Sequence, residues 1–171
     1  MHVFYKAVTY KLHLYKVITI LYKKYLTVAK IPSTLFKQIE RYMPFSSVDV
    51  AILKDEKIIL TKRNIAPYRG YWHLPGSIIL KNEKMIDTVK SCTTGELGIE
   101  VLNPTFVGNY ETFTRYRHYI THLFVAKYKS GKITLDFQSI RETLVDSHTI
   151  PNHTVPIQKL MIYDVLTNNI K

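Results

Sequence analysis

The chain has 171 residues, of which 46% are hydrophobic and 22% charged, a composition that indicates a folded globular protein and excludes a disordered one. Its single cysteine, Cys92, excludes an intrachain disulfide and any metal site built from several thiolates. The formal net charge of +11 makes the chain basic. Because this cysteine usage suits a reducing compartment, we expect a cytoplasmic protein.

The positive charge is concentrated near the N-terminus, where residues 1–30 contain six lysines and no acidic residue. We predict a basic N-terminal extension over residues 1–30 and one domain over residues 31–171. Contact of the extension with nucleic acid or an anionic surface is left open without further support, and a solvated appendage explains it equally well. The apolar run at 17–22 is far too short to span a membrane, so no transmembrane segment is predicted.

Five segments after the extension show the pattern of β-strands, at residues 47–53, 57–62, 71–74, 105–113 and 118–128. The first two are joined by an Asp55-Glu56 turn, and the last two are expected to pair. A polar loop containing Asp136 and Gln138 follows the last strand.

Three segments are predicted to be helices, at residues 33–42, 83–94 and 157–165. Pro32 and Pro44 bound the first helix. Asn82 is the predicted N-cap of the second helix, and Gly95 and Gly98 are predicted to close it. Because helices and strands are mixed and joined by hairpins, we expect an α+β sandwich with a mixed sheet.

The most informative stretch reads as a strand, a glycine-containing loop at Leu74-Pro75-Gly76, a helix and a turn at Gly98. Positions 92, 95 and 96 share one helical face, so a carboxylate on that face can meet the backbone carbonyls of the Gly76 loop. Hard cations such as Mg²⁺ favour all-oxygen sites of this kind and hold diphosphates through the metal.

This stretch resembles the Nudix box, G-x5-E-x7-R-E-U-x-E-E-x-G-U, in which U is aliphatic. With Ser77 at the first glycine, the matching positions are Glu83, Glu96, Gly98 and Ile99. The box arginine is Ser91 here, and two box glutamates are Cys92 and Gly95.

Outside the box, the similarity runs from about Phe36 to Tyr163 and is closest to the GDP-mannose mannosyl hydrolase branch. That branch also lacks the two glutamates and holds one Mg²⁺. The segments that carry the similarity are Met43-Pro44, Ser47-Val48-Asp49, Thr61-Lys62-Arg63, Gly70-Tyr71-Trp72 and Thr121-His122.

The resemblance implies a Nudix-type α/β/α sandwich with a mixed β-sheet. It implies one Mg²⁺ ion, replaceable by Mn²⁺, held by the Gly76 carbonyl, the Glu96 carboxylate and the Gln138 side chain. Asp49 and Arg63 would contact the nucleotide or its diphosphate, next to Gly76. In that branch water attacks the anomeric carbon of the sugar, and GDP leaves with help from the metal and arginines.

Three departures bear on catalysis. The branch has a histidine base where this chain has Ser139, which cannot take a proton at neutral pH. An arginine of the branch is Ile78 here, and the box arginine is Ser91. The predicted catalytic residues are Glu96, Arg63 and His122, with His148 and His153 open as other bases.

Each candidate also has a structural explanation. Glu96 could be a solvated carboxylate at a helix end, and Arg63 could be a surface cation at a strand end. Asp49 lies within an apolar strand, where a carboxylate needs a partner such as Arg63.

We therefore predict a Mg²⁺-dependent Nudix-type hydrolase, of reduced activity, that acts on a nucleoside diphosphate sugar such as GDP-mannose or on a related nucleoside diphosphate derivative. The alternative is a catalytically inactive Nudix-fold module that binds a nucleotide ligand. A homodimer is left open.

Overall fold

The computed structural model describes residues 32–113 and 117–167. The basic extension predicted for residues 1–30 lies outside the described residues. Among those described, three helices are present: α1 (Ser33–Ile39), α2 (Met85–Leu97) and α3 (Pro156–Thr167). The strands of the same part of the chain are β1 (Phe45–Lys54), β2 (Lys57–Arg63), β3 (Trp72–His73), β4 (Gly76–Ile78), β5 (Glu100–Phe113), β6 (His118–Ser130) and β7 (Ser139–Val145).

The described strands form one sheet in the order β3-β2-β1-β6-β5, with β4 paired to β1 and β7 paired to β2. β1 and β6 are parallel, whereas the other pairs are antiparallel. The sheet is therefore mixed, as predicted.

The two long helices cover opposite faces of the sheet. Alternation along β1 points Val48 and Val50 to one face, where α2 packs through Val89. Ala51 points to the other face, where α3 packs through Met161. This arrangement confirms the predicted α+β sandwich with helices on both sides of a mixed sheet.

β1 has two partners along one edge, and this division positions the site. Its C-terminal end pairs with β2 through Leu53 and Ile58, while its N-terminal half pairs with β4 through Asp49 and Gly76. Between them, the Val50 amide donates to the Pro75 carbonyl. Asp49 and Gly76 therefore lie where β1 changes partner.

The Asn82 prediction was wrong. α2 begins at Met85, its N-cap residue is Lys84, and no side chain caps it. Asn82 instead has φ 66° in a turn closed by the Glu83 amide, which donates to the Leu80 carbonyl. Asparagine tolerates this left-handed conformation, so the turn uses Asn82 before the helix starts.

The end of α2 was also predicted only in part. Gly95 lies inside the helix, and Gly98 alone ends it in the left-handed conformation with φ 66°. The Gly98 amide donates to the Thr94 carbonyl, which satisfies one of the free carbonyls at the helix end.

Candidate functional site

Gly76 brings β4 unusually close to β1. A Cβ atom built on Gly76 would overlap a carboxylate oxygen of Asp49 and the carbonyl oxygen of Val48. Asp49 and Gly76 form a non-hydrogen-bonded pair, because the flanking Val50 amide donates to Pro75. The backbone amide and carbonyl of Gly76 consequently face away from β1.

Glu96, in the last turn of α2, meets Gly76 on that outer side. The Gly76 amide donates a hydrogen bond to the Glu96 carboxylate. Burial, followed by the charge of Asp136, raises the pKa of Glu96 to about 8, although the Gly76 bond and the charge of Arg63 lower it. The Asp49 charge also raises this pKa, so the carboxylates outweigh the cation around Glu96.

Gln138 reaches the site from the loop before β7. Asp136 accepts two hydrogen bonds from Gln138, one from the backbone amide at 2.9 Å and one from the side-chain Nε2 at 3.0 Å. The Asp136 amide in turn donates to the Glu96 carbonyl, and the Asn64 amide donates to the Gln138 carbonyl. These contacts tie the loop to the end of α2 and to the chain after β2.

Arg63 ends β2, next to the loop that leads to β3. Its Nε donates to the Pro67 carbonyl at 2.7 Å, which fixes the orientation of the guanidinium. Burial is the main cause that lowers the pKa of Arg63, while the charges of Glu96 and Asp49 raise it. Arg63 is therefore a half-buried cation near both carboxylates and not a freely solvated strand end.

The direct partner of Asp49 is Gln158 of α3, whereas Arg63 had been expected. Gln158 accepts the Leu74 amide with its oxygen at 2.9 Å, so its Nε2 donates to Asp49 at 2.6 Å. Arg63 acts on Asp49 only through its charge. Burial outweighs both effects and raises the pKa of Asp49 from 3.8 to about 6.

These side chains line one cleft of about 540 Å³, within the range of small-molecule sites. The predicted site residues in its lining are Asp49, Arg63, Gly76, Glu96 and Gln138. The lining also includes Ser47 of β1, Tyr119 and Thr121 of β6, and Arg117, which precedes β6.

The three candidate histidine bases are absent from the residues that line this cleft. His122 lies beside Val48 on the α2 face of the sheet, one residue away from Thr121, which faces the cleft. Its ring nitrogens contact the Ser46 hydroxyl at 2.9 Å and the Asn109 side-chain oxygen at 2.7 Å. His148 and His153 are exposed elsewhere.

The cleft does contain His73, but its ring is fully engaged. Nδ1 contacts the Leu74 carbonyl at 2.8 Å, and because a carbonyl only accepts, Nδ1 carries the proton. Nε2 then accepts the Thr61 hydroxyl at 3.0 Å. Burial, with the nearby Arg63 charge, lowers the pKa of His73 to about 4, so the ring is neutral near pH 7.

Three positions where this chain departs from the Nudix box or from the branch pattern have structural contacts. Burial raises the pKa of the Cys92 thiol, so Cys92 is a neutral core residue. The Ser91 hydroxyl lies 3.1 Å from the Thr88 carbonyl and 3.4 Å from a Glu83 carboxylate oxygen, and the Leu80 amide donates to the other Glu83 oxygen at 3.0 Å. Ser139 is buried at the start of β7, where it pairs with Arg63.

A family model described as the NUDIX domain matches residues 43–163. The chain belongs to the Nudix domain family. The match confirms the predicted family, whose hydrolases generally use divalent metal ions such as Mg²⁺. Low-salt glycan biosynthesis protein Agl8 of Haloferax volcanii is 27% identical over 117 residues, 64% of this chain and 75% of that protein.

Solved Nudix structures confirm the fold. The MutT NUDIX hydrolase from Burkholderia pseudomallei has a TM-score of 0.68 at 22% identity, over 72% of this chain and 98% of that one. The NUDIX domain of Shewanella oneidensis NrtR, solved with ADP ribose, has a TM-score of 0.64 at 14% identity, over 75% and 90% of the two chains.

Two observations about this Nudix chain concern what its described part lacks. Within residues 32–113 and 117–167, no group of three or more His, Cys, Asp or Glu side chains is arranged to hold a metal ion. None of the helices described in the same ranges is long and apolar enough to cross a membrane.

Asp49→Asn is expected to stabilise the metal-free protein at neutral pH. The folded-state pKa of Asp49 is raised, so folding favours the protonated form, and its contribution to stability falls as pH rises from about 4 to about 6. Asparagine avoids this cost. Denaturant unfolding should show a gain on the order of 2 kcal/mol at pH 7 that disappears near pH 4.

The control is Asp55→Asn, in the exposed turn between β1 and β2. It makes the same chemical change at an exposed position and should not reproduce the gain of Asp49→Asn at pH 7. An Asp49→Asn protein that is less stable than wild type at pH 7, or shifted equally at every pH, would contradict the assignment of a costly buried carboxylate.

Proposed function

We propose that this Nudix domain is a hydrolase that uses one Mg²⁺ ion, or Mn²⁺ in its place, and acts on a nucleoside diphosphate sugar or a related nucleoside diphosphate derivative. The observation that carries this proposal is the placement of the Glu96 carboxylate in the cleft, against the Gly76 backbone and near Asp136 and Asp49. Burial, Asp136 and Asp49 raise its pKa more than Gly76 and Arg63 lower it. A divalent cation would supply the missing positive charge.

The donor set suits a hard cation. The Glu96 carboxylate, the Gly76 carbonyl and the Gln138 side-chain oxygen are all oxygen ligands, which Mg²⁺ prefers together with several waters. So small a set of protein ligands suits a single ion. When bound, the ion would neutralise charge on the leaving diphosphate.

The remaining residues have separate tasks. Arg63, oriented by Pro67, would place its positive charge against the diphosphate. Asp49, which lines the cleft and is held by Gln158, would accept a hydrogen bond from the substrate. The glycan role in the name of the Haloferax relative favours a compound that carries a sugar.

We expect turnover to be slow. Ser139 cannot act as a base, and the three candidate histidines lie outside the cleft lining. General-base catalysis typically contributes about 10²- to 10⁴-fold, so its loss would cost that order of rate. This same observation favours the second candidate function, a Nudix domain that binds a nucleotide ligand without cleaving it.

The test is a panel of nucleoside diphosphate sugars, including GDP-mannose, and related compounds such as ADP-ribose. Each is incubated with protein and Mg²⁺ in ¹⁸O-labelled water, with products identified by mass spectrometry. Label in the released sugar would show attack at carbon, and label in a phosphate would show attack at phosphorus. Tight binding of one compound without product would favour the binding module. If no compound is bound and none is cleaved, both proposed functions are refuted.

Asp136→Asn is expected to weaken Mn²⁺ binding by about tenfold, because Asp136 controls which atom Gln138 presents. Asp136 accepts the backbone N–H of Gln138 and one N–H of its side-chain amide. The side-chain Oε1 of Gln138 is thereby left to face a metal. Asparagine offers one acceptor and one donor, so the amide of Gln138 can turn over. Loss of such supporting contacts typically costs about 10- to 100-fold in metal affinity.

Manganese binding would be measured by electron paramagnetic resonance, with Asp87→Asn in the exposed first turn of α2 as the control of equal charge change. Asp136→Asn should weaken Mn²⁺ binding less in the Gln138→Ala background than in the wild type, because only the charge of Asp136, and not its hold on Gln138, is then lost. Additive losses would show that Asp136 acts independently of Gln138.

A further inference from the structure

Arg117 lines the cleft immediately before β6, where it contacts Glu40 and Tyr119. Its Nε lies 2.6 Å from a carboxylate oxygen of Glu40, and its Nη1 donates to the Tyr119 hydroxyl at 3.0 Å. Tyr119 lines the same cleft. Glu40 and Tyr119 therefore both help to hold the Arg117 guanidinium at the cleft wall.

Glu40 comes from outside the part of the chain that matches the Nudix model, which starts at residue 43. It follows α1, and its amide donates to the Phe36 carbonyl at 3.0 Å. The Phe36 ring stacks on Phe45 of β1 with 5.0 Å between the ring centroids, and the ring centroids of Phe45 and Tyr119 lie 6.1 Å apart. This aromatic row anchors the end of α1 against the cleft wall.

The Glu40 side chain is only 10% exposed, which separates this ion pair from a solvated surface pair. Exposed pairs contribute little because water and salt screen them. Water and salt screen a mostly buried carboxylate less, so its attraction for a cation is stronger. Glu40 therefore restricts the position of the Arg117 side chain.

Two arginines thus share one cleft. Burial lowers the pKa of Arg63 first, and the charge of Arg117 lowers it further, so the two guanidinium groups repel each other. Like charges in one cleft are favourable when an anion sits between them. The planar fork of a guanidinium matches the oxygen pairs of phosphate groups.

We propose that Arg63 and Arg117 together bind the diphosphate group of the ligand, and that Glu40 is a positioning residue that holds Arg117 for this task. The inference rests on the proposed nucleoside diphosphate ligand. It adds a second arginine to the site and assigns a role to the segment before the Nudix match.

The experiment is calorimetric titration of the full-length chain with inorganic pyrophosphate and with ADP, in the presence of Mg²⁺. Arg117→Gln should weaken binding of both probes by about tenfold or more, as expected for a charged hydrogen-bonding group. Arg117→Lys, which keeps the charge but not the fork, should fall between. Arg141→Gln removes the same charge on exposed β7, outside the cleft lining, and should change affinity less than about twofold.

Glu40→Gln separates positioning from simple charge. Long-range electrostatics alone predicts tighter anion binding when a negative charge is removed. Positioning predicts weaker binding, by roughly threefold or more, since Arg117 loses its tether. Thermal unfolding would confirm that each variant folds. If Glu40→Gln does not fold, the affinities of the Arg117 variants alone test the proposal.

Equal affinities for Arg117→Gln and Arg141→Gln, or tighter binding by Glu40→Gln, would overturn the role of Arg117 and Glu40. If Glu96→Gln abolishes Mg²⁺-dependent pyrophosphate binding while Arg117→Gln does not weaken it, only this inference fails. If the wild-type protein binds neither pyrophosphate nor ADP with Mg²⁺, the proposed function fails with it.

Discussion

Glu96→Gln is expected to lower kcat/KM of Mg²⁺-dependent turnover by about a thousandfold or more, because it removes the one carboxylate proposed to bind the ion directly. Glutamine keeps the shape of the side chain, and its oxygen can still accept the Gly76 amide. The fold should therefore survive. Without metal the variant should even unfold at higher denaturant concentration, since a buried charge near Asp136 and Asp49 is gone.

The matched control is Glu83→Gln, the other glutamate retained from the box pattern. Its carboxylate already accepts the Leu80 amide at 3.0 Å. We expect less than about a tenfold loss of kcat/KM, because hydrogen bonds of this kind typically contribute about 1 kcal/mol. Equal losses in the two variants would mean that Glu96 has no special role in metal binding.

Gly76→Ala is expected to destabilise the protein by about 3 kcal/mol or more. The added Cβ would overlap the Val48 carbonyl, which is backbone, and the Asp49 carboxylate, which Gln158 holds by a hydrogen bond. β4 must move away from β1, which also moves the Gly76 amide away from Glu96. Denaturant unfolding measures the loss, and Mn²⁺ affinity should fall in the same variant.

Gly95→Ala makes the same chemical change with the opposite expected sign. Gly95 lies inside α2, and a Cβ built there meets no atom within 4 Å. Alanine in a helix interior is favoured over glycine by roughly 0.5–1 kcal/mol, so this variant should be more stable than wild type. A Gly76→Ala protein as stable as Gly95→Ala would show that the close approach of β4 to β1 is not needed.

The spacing of the Nudix-like segment predicted that Glu96 lies against the Gly76 loop. Gly76 and Glu96 are twenty positions apart, and a strand–loop–helix unit returns the end of α2 to the loop, where the structure places them in contact. Local periodicity is sufficient for such a prediction, because one short unit contains both residues.

Residues contributed by distant elements could not be found in this way. Asp136 was seen only as part of a polar loop, and Arg117 and Gln158 were not recognised as site residues. Asp136 reaches Glu96 because β7 pairs with β2, and Gln158 reaches Asp49 because α3 packs on the sheet. These are tertiary contacts that leave no repeating pattern in a single sequence.

The missed strands have equally physical explanations. β4 has three residues, too few to show an alternation, and it is defined by backbone pairing with β1. β7 is a strand in which only Ser139 and Val145 are buried, so its hydrophobic pattern is weak. The strand is recognisable only through its register with β2.

The central claim is a single divalent-ion site at Gly76, Glu96 and Gln138. It is tested most directly by titrating the wild-type and Glu96→Gln proteins with Mn²⁺ and counting free ion by electron paramagnetic resonance, with ADP absent and then present. We predict one tightly held Mn²⁺ per wild-type chain, competed by Mg²⁺ and lost in Glu96→Gln. No bound Mn²⁺ in the wild-type protein under either condition, or equal binding by Glu96→Gln, would contradict the account.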